Sequence, residues 1–360
     1  MKKFFVKWAT VGLTLVMLTA CGGGQEPTQT NQQGNSNQGE EPAENETEAK
    51  DEKTYALVFK NTGNPYGEKM MDGFEEAIKE VGGEVILRAP DQPTAEGQIQ
   101  IIEQLITQQV DAIAITGNDQ DALQPVLKKA MDKGIKVLSV DSSVNANSRI
   151  VHVNQADPER IGRSQIQAVA EMIDGKGQIA VLSATSQASN QNLWIEWMKK
   201  ELEEPGYENI ELVKVAYGDD LRDKSTSETE ALLLQYPDLK AIVSPTTVGI
   251  AAAGKVLTDK GLQGKIALTG LGLPSEMASY IENGVSPAMF LWNPIDVGYG
   301  AGMTAYALVE GEITGAVGES FEAGRLGQKE VVEDGDGTQI MLGDPFRFDA
   351  SNIDEWKEVY

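Results

Sequence analysis

The sequence predicts an α/β protein with two lobes, each built on a doubly wound parallel sheet. Short apolar runs alternate with amphipathic stretches from residue 54 onward. Runs such as 112–115 (AIAI) and 241–243 (AIV) are apolar on both faces, as expected for strands buried between two helical layers. The alternation restarts near residue 155, and the segment 54–360 is longer than one core comfortably organises, so two lobes are expected.

Periodicity and capping signals place the individual elements. We predict strands at 55–59, 84–88, 111–116, 136–140, 150–153, 178–183, 210–215, 240–244, 265–270 and 287–291. We predict helices at 65–81, 94–109, 120–133, 157–173, 190–203, 222–235, 247–260 and 275–283. Asn64, Asp157 and Asn293 each precede a proline and are expected to cap helices. A cap alone explains Asp157, whereas Asn64 and Asn293 could also contact a ligand.

Residues 1–21 have the features of a bacterial lipoprotein signal peptide. A lysine-rich start precedes an apolar run at 8–18, which is too short for a spanning helix of ~20 residues. The run ends in LTAC, residues 18–21, which resembles a lipobox, where the cysteine is lipidated. A chance cysteine at an ordinary cleavage site is the alternative. Because Cys21 is the only cysteine in the chain, lipidation is favoured and the mature protein keeps no free thiol.

The next segment and the overall charge exclude several partners. Residues 22–52 contain eight Asp or Glu, one Lys and no large apolar residue, so we predict a disordered acidic tether over 22–53. The chain has a net charge of −25, from 30 basic and 55 acidic residues, which phosphate backbones would repel. We therefore expect no nucleic-acid partner. The absence of an arginine cluster near a candidate site also disfavours anionic substrates.

Several catalytic chemistries lack the residues that they need. His152 is the only histidine and lies in a predicted strand, where a structural role is favoured over catalysis. No phosphate-loop motif occurs, and the GLG at 270–272 lacks the third glycine of a dinucleotide fingerprint. The DGDG at 334–337 lacks the ligand order of a calcium loop and predicts a tight turn. We therefore expect no metal, no cofactor and no enzymatic activity.

Polar and aromatic side chains instead follow the predicted strands, at the edge where open α/β sheets bind ligands. The residues of this kind that we assign to a ligand are Lys60, Asn61, Asn64, Tyr66, Asp91, Asn118, Asp141, Asn190, Gln191, Trp194, Thr247, Trp292 and Asn293. Amides and carboxylates pair with the hydroxyls of a polyol. Aromatic faces suit the C–H side of a sugar ring. The set predicts a site for a small neutral sugar, although any single member could instead cap a helix or bond loop backbone.

Five stretches carry a resemblance to a known family. They are NPYGEKMMDGFEEAIKEVGGEVILRAPDQPT, VLSVDSSVNANSRIVHVNQADPERIG, ASNQNLWIEWMK, VSPTTVGIAAA and LWNPIDVGY. Over essentially all of 54–360 the chain resembles the ribose-binding-like sugar-binding proteins of bacterial ABC importers, and among them the rhamnose-binding proteins and autoinducer-2 receptors.

This resemblance implies the type I periplasmic-binding-protein fold, with a three-segment hinge. The hinge crossings are expected near 154–157, 291–294 and 322–330. Lobe 1 would then comprise 54–154 plus 294–322, and lobe 2 would comprise 155–293 plus 323–360.

The autoinducer-2 receptor pattern also implies individual ligand contacts. These are Lys60, Asp141, Gln191, Pro245 and Thr247. Lys60 and Asp141 match that pattern in residue type. Asn190 stands where those receptors usually carry Asp, and Thr247 stands where a smaller residue is usual. The two departures favour a six-carbon deoxy sugar such as rhamnose over autoinducer-2.

The implied function is capture of a ligand outside the cell membrane. A monomeric, lipid-anchored binding protein on the extracytoplasmic face would close its hinge on a rhamnose-like deoxy sugar or an autoinducer-2-type furanose. It would deliver that ligand to the permease subunits of an ABC importer. Two alternatives stay open: a ligand-sensing receptor of a signalling system, and a sugar-modifying enzyme, for which the sequence offers no catalytic pair, metal cluster or cofactor loop.

The substitution Cys21→Ser tests the anchor. We expect the wild-type protein to be acylated and to partition into a detergent phase, because a buried acyl chain favours the membrane. The variant lacks the acceptor thiol and should be released or left unprocessed. A variant that stays as membrane-associated as the wild type would contradict the lipobox interpretation.

Overall fold

The computed structural model describes residues 52–360, so the expected signal peptide, Cys21 and nearly all of the tether lie outside the described residues. The strands are β1 Thr54–Val58, β2 Glu84–Arg88, β3 Ala112–Ile115, β4 Lys136–Val140, β5 His152–Asn154, β6 Gly177–Ser183, β7 Ile210–Tyr217, β8 Leu239–Ser244, β9 Ala267–Gly270, β10 Ala288–Leu291, β11 Ser320–Glu322, β12 Gln328–Glu330, β13 Val332–Asp334, β14 Gly337–Met341 and β15 Phe346–Asp349.

The helices account for most of the remaining described chain. They are α1 Pro65–Glu80, α2 Ala95–Gln108, α3 Gln120–Asp132, α4 Pro158–Met172, α5 Ser189–Leu202, α6 Arg222–Gln235, α7 Thr247–Asp259, α8 Pro274–Glu282, α9 Pro294–Glu310 and α10 Ile353–Trp356. Asn64, Asp157 and Asn293 cap α1, α4 and α9 through their side-chain oxygens, as predicted. Within residues 52–360, no helix combines the length and apolar character needed to cross a bilayer.

Each lobe is a sheet with helices on both faces, which confirms the predicted α/β class. The sheet of lobe 1 has the order β13-β14-β5-β4-β3-β1-β2, and its strands from β14 to β2 are parallel. The sheet of lobe 2 has the order β7-β6-β8-β9 and is parallel throughout. Strand β10 continues this sheet beside β9 through a bridge between Leu271 and Phe290, and pairs with β15. Both sheets therefore present their carboxyl edges to the space between the lobes.

The third passage between the lobes differs from the sequence-based expectation. Strand β14 pairs in parallel with β5, and buried Arg149 bonds to Asp334 of β13, so this hairpin belongs to lobe 1. Residues 323–341 are thus part of lobe 1, although the sequence assigned 323–360 to lobe 2. The chain passes between the lobes at 155–157, 292–293 and 342–345. The turn at Gly335-Asp336 joins β13 to β14, as predicted for the DGDG stretch.

His152 has a structural position on β5. Its Nδ1 lies 2.9 Å from the Ser139 hydroxyl, and the ring is buried. Burial and the nearby Arg149 guanidinium lower the pKa of His152 to about 3. The ring is therefore uncharged at physiological pH, which agrees with the structural role favoured from the sequence.

Close packing of α1 against α9 fixes the loops that precede these two helices. A Cβ added at Gly298 would lie 1.8 Å from the Met70 carbonyl oxygen, and one at Gly73 would lie 1.9 Å from the Ile295 carbonyl oxygen. Only glycine allows the two backbones to approach this closely. Tyr66 lies in the first turn of α1, and Trp292 lies two residues before α9, so the separation of the helices sets the distance between those aromatic rings.

We expect Gly298→Ala to destabilise the fold, although alanine is the better helix former by about 1 kcal/mol. The added methyl group would force α1 and α9 apart, at a cost of about 1–3 kcal/mol or more. Gly254→Ala in α7 is the matched control, because its Cβ would meet only the Tyr280 ring, at 3.0 Å. The melting temperature of Gly298→Ala should be well below that of Gly254→Ala. Equal melting temperatures would mean that the glycine contact does not hold the helices together.

Candidate functional site

A cavity that is partly open to solvent lies between the carboxyl edges of the two sheets. It is lined by Phe59, Lys60, Asn64, Tyr66, Asp141, Asn190, Gln191, Trp194, Asp220, Pro245, Thr246, Thr247, Leu271, Leu291 and Trp292. Its volume is about 40 Å³. About 10–15 Å³ of such space holds one water, so the closed cavity has room for a few waters. The closed lobes therefore leave space for no more than one small molecule.

One lysine and two aspartates form the charged part of this cavity. Lys60, Asp141 and Asp220 are 5 %, 5 % and 8 % exposed. The Lys60 Nζ lies 3.8 Å from Asp141 Oδ2. Burial raises the pKa of both aspartates above the ordinary range, and the Lys60 ammonium opposes that rise in each. With both carboxylates ionised, the three groups carry a net charge of −1.

Both aspartates sit in the left-handed region of the backbone. The φ angle is +61° at Asp141 and +53° at Asp220. Asp141 comes directly after β4, and Asp220 follows β7 by three residues. Aspartate tolerates this conformation better than most residues. Strained backbone at two carboxylates that face the same cavity points to a functional constraint on their placement.

Three aromatic residues form one wall of the cavity. The Trp292 indole donates to the Tyr66 hydroxyl at 2.8 Å, and that hydroxyl donates to Asp141 Oδ1 at 3.3 Å. Trp194 packs on Trp292 with ring centroids 5.8 Å apart. Burial, followed by the Asp141 charge, raises the pKa of Tyr66 well above its ordinary value, so its hydroxyl stays protonated. The wall therefore combines ring surfaces with a chain of hydrogen bonds that orients the Asp141 carboxylate.

The first turn of α5 contacts lobe 1 directly across the cleft. The Asn190 amide donates to Asp141 Oδ2 at 3.2 Å, and the Ser189 hydroxyl donates to the Ser143 carbonyl oxygen at 2.9 Å. The oxygen of Gln191 accepts bonds from Ser183 Oγ and the Ala184 amide, both at 2.7 Å. Because the Gln191 oxygen is already bonded, only its amide nitrogen can donate a hydrogen bond to a ligand in the cavity. The structure therefore has a closed cleft with the lobes in contact.

Asn118, which the sequence assigned to the ligand, does not line the cavity and instead bonds to the backbone of Lys60. Its amide nitrogen donates to the Lys60 carbonyl oxygen at 2.8 Å, and its backbone nitrogen donates to Gln98 Oε1. The Gln98 amide in turn donates to the carbonyl oxygens of Phe59 and Thr116. These two buried amides join the loops after β1 and β3, and so hold the backbone of Lys60 in place.

Three further sequence candidates also lie outside the cavity. Asn61 donates to the neighbouring Thr62 carbonyl oxygen, and Asp91 is exposed at the surface. Asn293 caps α9 and donates to Asp296, on the far side of Trp292 from the cavity. The structure brings together the other predicted residues: Lys60, Asn64, Tyr66, Asp141, Asn190, Gln191, Trp194, Pro245, Thr247 and Trp292.

The cavity also contains residues absent from the sequence-based assignment. Thr246, whose hydroxyl bonds to the Asp220 carboxylate, and the apolar residues Phe59, Leu271 and Leu291 line it together with Asp220. Asp220 could have been identified from the sequence, because it follows a strand at the same sheet edge as the other candidates. Among residues 52–360, no group of three or more His, Cys, Asp or Glu side chains is placed to hold a metal ion.

Comparison with known proteins assigns the family. Residues 55–313 match the model of the periplasmic binding protein domain, so the chain belongs to the periplasmic binding protein family. A solute-binding protein of an ABC transporter from Clostridium phytofermentans, solved with bound L-rhamnose, is 48 % identical. The match covers 86 % of this chain and 99 % of that one, with a TM-score of 0.84. The family resemblance seen in the sequence is thereby confirmed.

Two further proteins show weaker similarity, one in fold and one in sequence. LsrB from Clostridium saccharobutylicum, solved in complex with AI-2, is 22 % identical over 84 % of this chain and 99 % of that one, with a TM-score of 0.79. The D-ribose/D-allose-binding protein of Pseudomonas aeruginosa is 25 % identical over 60 % of this chain and 69 % of that protein.

We expect Asp220→Asn to stabilise the empty protein at pH 7. The folded state raises the pKa of Asp220, so the ionised side chain lowers stability once the pH exceeds its unfolded pKa, about 3.9. The amide removes this cost, so the melting temperature should rise by a few degrees at pH 7 and the gain should shrink as the pH falls toward that value.

The neighbouring Asp219→Asn is the matched control for this experiment. Asp219 has a similar φ of +55° but pairs with Lys224 at the surface, so its substitution should change stability little. A lower melting temperature for Asp220→Asn at pH 7 would show that the Asp220 carboxylate stabilises the empty cleft.

Proposed function

We propose that this protein captures one neutral six-carbon deoxy sugar of the rhamnose type and delivers it to an ABC importer. The observation that carries the proposal is the composition of the cavity, which combines the buried Lys60–Asp141–Asp220 group with an apolar group at Leu271 and Leu291. A deoxy sugar presents the same combination, with several hydroxyls and one methyl group.

The charged group favours a neutral polyol over an anion. A carboxylate accepts hydrogen bonds and cannot donate them, so Asp141 and Asp220 need ligand hydroxyls as donors. Lys60 can donate to a ring or hydroxyl oxygen of the same molecule. Bonds of this charge-assisted kind contribute about 1.5–3 kcal/mol each. An anion would meet a cavity that is already net negative and would bind poorly.

The apolar group favours a ligand with a methyl substituent. Leu271 and Leu291 are both almost fully buried, on the neighbouring strand ends of β9 and β10. Placing one methyl group against them contributes about 0.8 kcal/mol. A hydroxyl in the same place would lose its water without finding a partner. This contrast favours a 6-deoxy sugar over the corresponding hexose.

Asn190 favours the rhamnose type over an autoinducer-2-type furanose. In the closed cleft its amide donates to Asp141 at 3.2 Å. An aspartate at this position, as in the autoinducer-2 receptors that the sequence resembles, would place two carboxylates in contact and raise the pKa of one. The relative with 48 % identity, which was solved with L-rhamnose, supports the same choice of ligand class.

Capture would proceed by hinge closure outside the membrane. The bonds from Ser189 and Asn190 to lobe 1 form only when the lobes meet, so they would stabilise the state that encloses the ligand. The closed form would then be recognised by the permease, while lipidated Cys21 and the acidic tether keep the protein at the membrane. The proposed role is binding and delivery, with no covalent step.

Isothermal titration calorimetry with L-rhamnose and L-mannose tests the ligand class. L-mannose differs from L-rhamnose by one hydroxyl at C6, and an apolar pocket rejects such an addition by up to about a hundredfold. We expect the wild-type protein to prefer L-rhamnose roughly ten- to a hundredfold. Leu291→Ser should narrow this preference because the new hydroxyl can pair with that of L-mannose.

Asp219→Asn changes a side chain that does not line the cavity and should leave the preference unchanged. Asp141→Ala should abolish measurable binding of both sugars, because Lys60 would lose its nearest compensating charge in the closed cleft. Failure to bind L-rhamnose, or tighter binding of L-mannose or autoinducer-2 than of L-rhamnose, would refute the proposed ligand.

A further inference from the structure

Gln155 is a buried amide with no hydrogen-bond partner at the first passage between the lobes. It is 2 % exposed, and neither its Nε2 nor its Oε1 has a partner among the described residues. Both atoms have almost no solvent-accessible surface in this conformation. The side chain does not line the cavity between the sheets, so the proposed sugar site does not use it.

Gln155 lies where the passages between the lobes come together. It lines a second cavity, on the opposite side of Trp292, whose walls come from all three passages and from both lobes. Asn293 and Gly343, which also line this cavity, belong to the second and third passages between the lobes. Val297 belongs to lobe 1 and Phe346 to lobe 2. Rotation of one lobe against the other therefore moves groups around the amide.

The number of hydrogen bonds that the Gln155 amide makes determines whether it favours the open or the closed hinge. In the closed form the amide makes no bonds, so any other hinge angle can only keep that number or raise it. An unmade bond of a buried polar group carries the full desolvation penalty. The Gln155 amide therefore favours any hinge angle that gives it a partner over the closed form, independently of the ligand.

We propose that Gln155 holds the empty protein open and thereby sets the affinity for the ligand from outside the binding cavity. The inference rests on the proposed capture by hinge closure. When the binding-competent state is a small fraction of the population, the apparent dissociation constant is the intrinsic one divided by that fraction. A rarely closed empty form also prevents a permease from engaging a binding protein that carries no ligand.

Gln155→Met is the direct test, because methionine has a similar length and no unsatisfied polar group. We expect the apparent affinity for L-rhamnose to rise roughly tenfold. The affinity for L-mannose should rise by the same factor, since a residue that does not touch the ligand cannot change selectivity. Calorimetry with both sugars measures the two factors.

The closed population of the empty protein is the second readout. Spin labels at Lys128→Cys in α3 and Lys199→Cys in α5, both exposed, report the distance between the lobes in a Cys21→Ser background. We expect the short-distance population without sugar to be larger in Gln155→Met than in the parent protein. Saturating L-rhamnose should bring both proteins to the same short distance.

Gln165→Met supplies the matched control within one lobe. Gln165 is fully buried in α4, and its Oε1 also lacks a partner. Its Nε2 donates to the Ile161 carbonyl oxygen in the same helix, so the substitution removes one hydrogen bond and one unpaired oxygen within lobe 2. It should leave sugar affinity and the distance distribution unchanged. Equal effects of the two substitutions on affinity would overturn the inference.

The remaining outcomes separate this inference from the proposed function. If L-rhamnose shortens the distance in the parent protein but Gln155→Met changes neither affinity nor the empty population, the role of Gln155 is refuted and capture by closure stands. If L-rhamnose binds without shortening the distance, capture by closure itself fails. Should Gln155→Met not fold, Gln155→Glu serves instead, with weaker binding expected at pH 7 because a sealed carboxylate penalises closure further.

Discussion

The site depends on one electrostatic constraint, a buried lysine that must compensate two buried aspartates from different lobes. Lys60 and Asp141 come from lobe 1 and Asp220 comes from lobe 2. Burying a charge is costly unless partners and hydrogen bonds offset the lost water. Closing the lobes without a ligand leaves this group short of donors, whereas a polyol supplies them. The same cost that weakens the empty closed form therefore makes closure depend on the ligand.

The fold supports this arrangement through backbone contacts that few residue types allow. Glycines bring α1 and α9 together, with Tyr66 in the first turn of α1 and Trp292 just ahead of α9. The buried amides of Gln98 and Asn118 bond to the carbonyl oxygens around Lys60. Two aspartates accept left-handed backbone so that their carboxylates face the cavity. Because these side chains are already held in place, binding the ligand costs less conformational entropy.

The sequence predicted the fold well because its main signals are local. Buried parallel strands are apolar on both faces, and each predicted cap precedes a proline. The C-terminal hairpin β13–β14 was missed because its strands are short and polar, and only their pairing with distant β5 defines them. Asp220 was missed because β7 extends beyond its predicted end. The structural position of Asn118 could not be predicted, because an amide after a strand can face a ligand or the backbone, and only the non-local position of Gln98 decides between them.

A crystal structure of the protein with L-rhamnose is the most direct test of the central claim. We predict sugar hydroxyls within hydrogen-bond distance of both Asp141 and Asp220, a sugar oxygen bonded to Lys60, and the methyl group against Leu271 and Leu291. A sugar bound with either carboxylate unpaired, or with its methyl group directed toward the charged residues, would contradict the account.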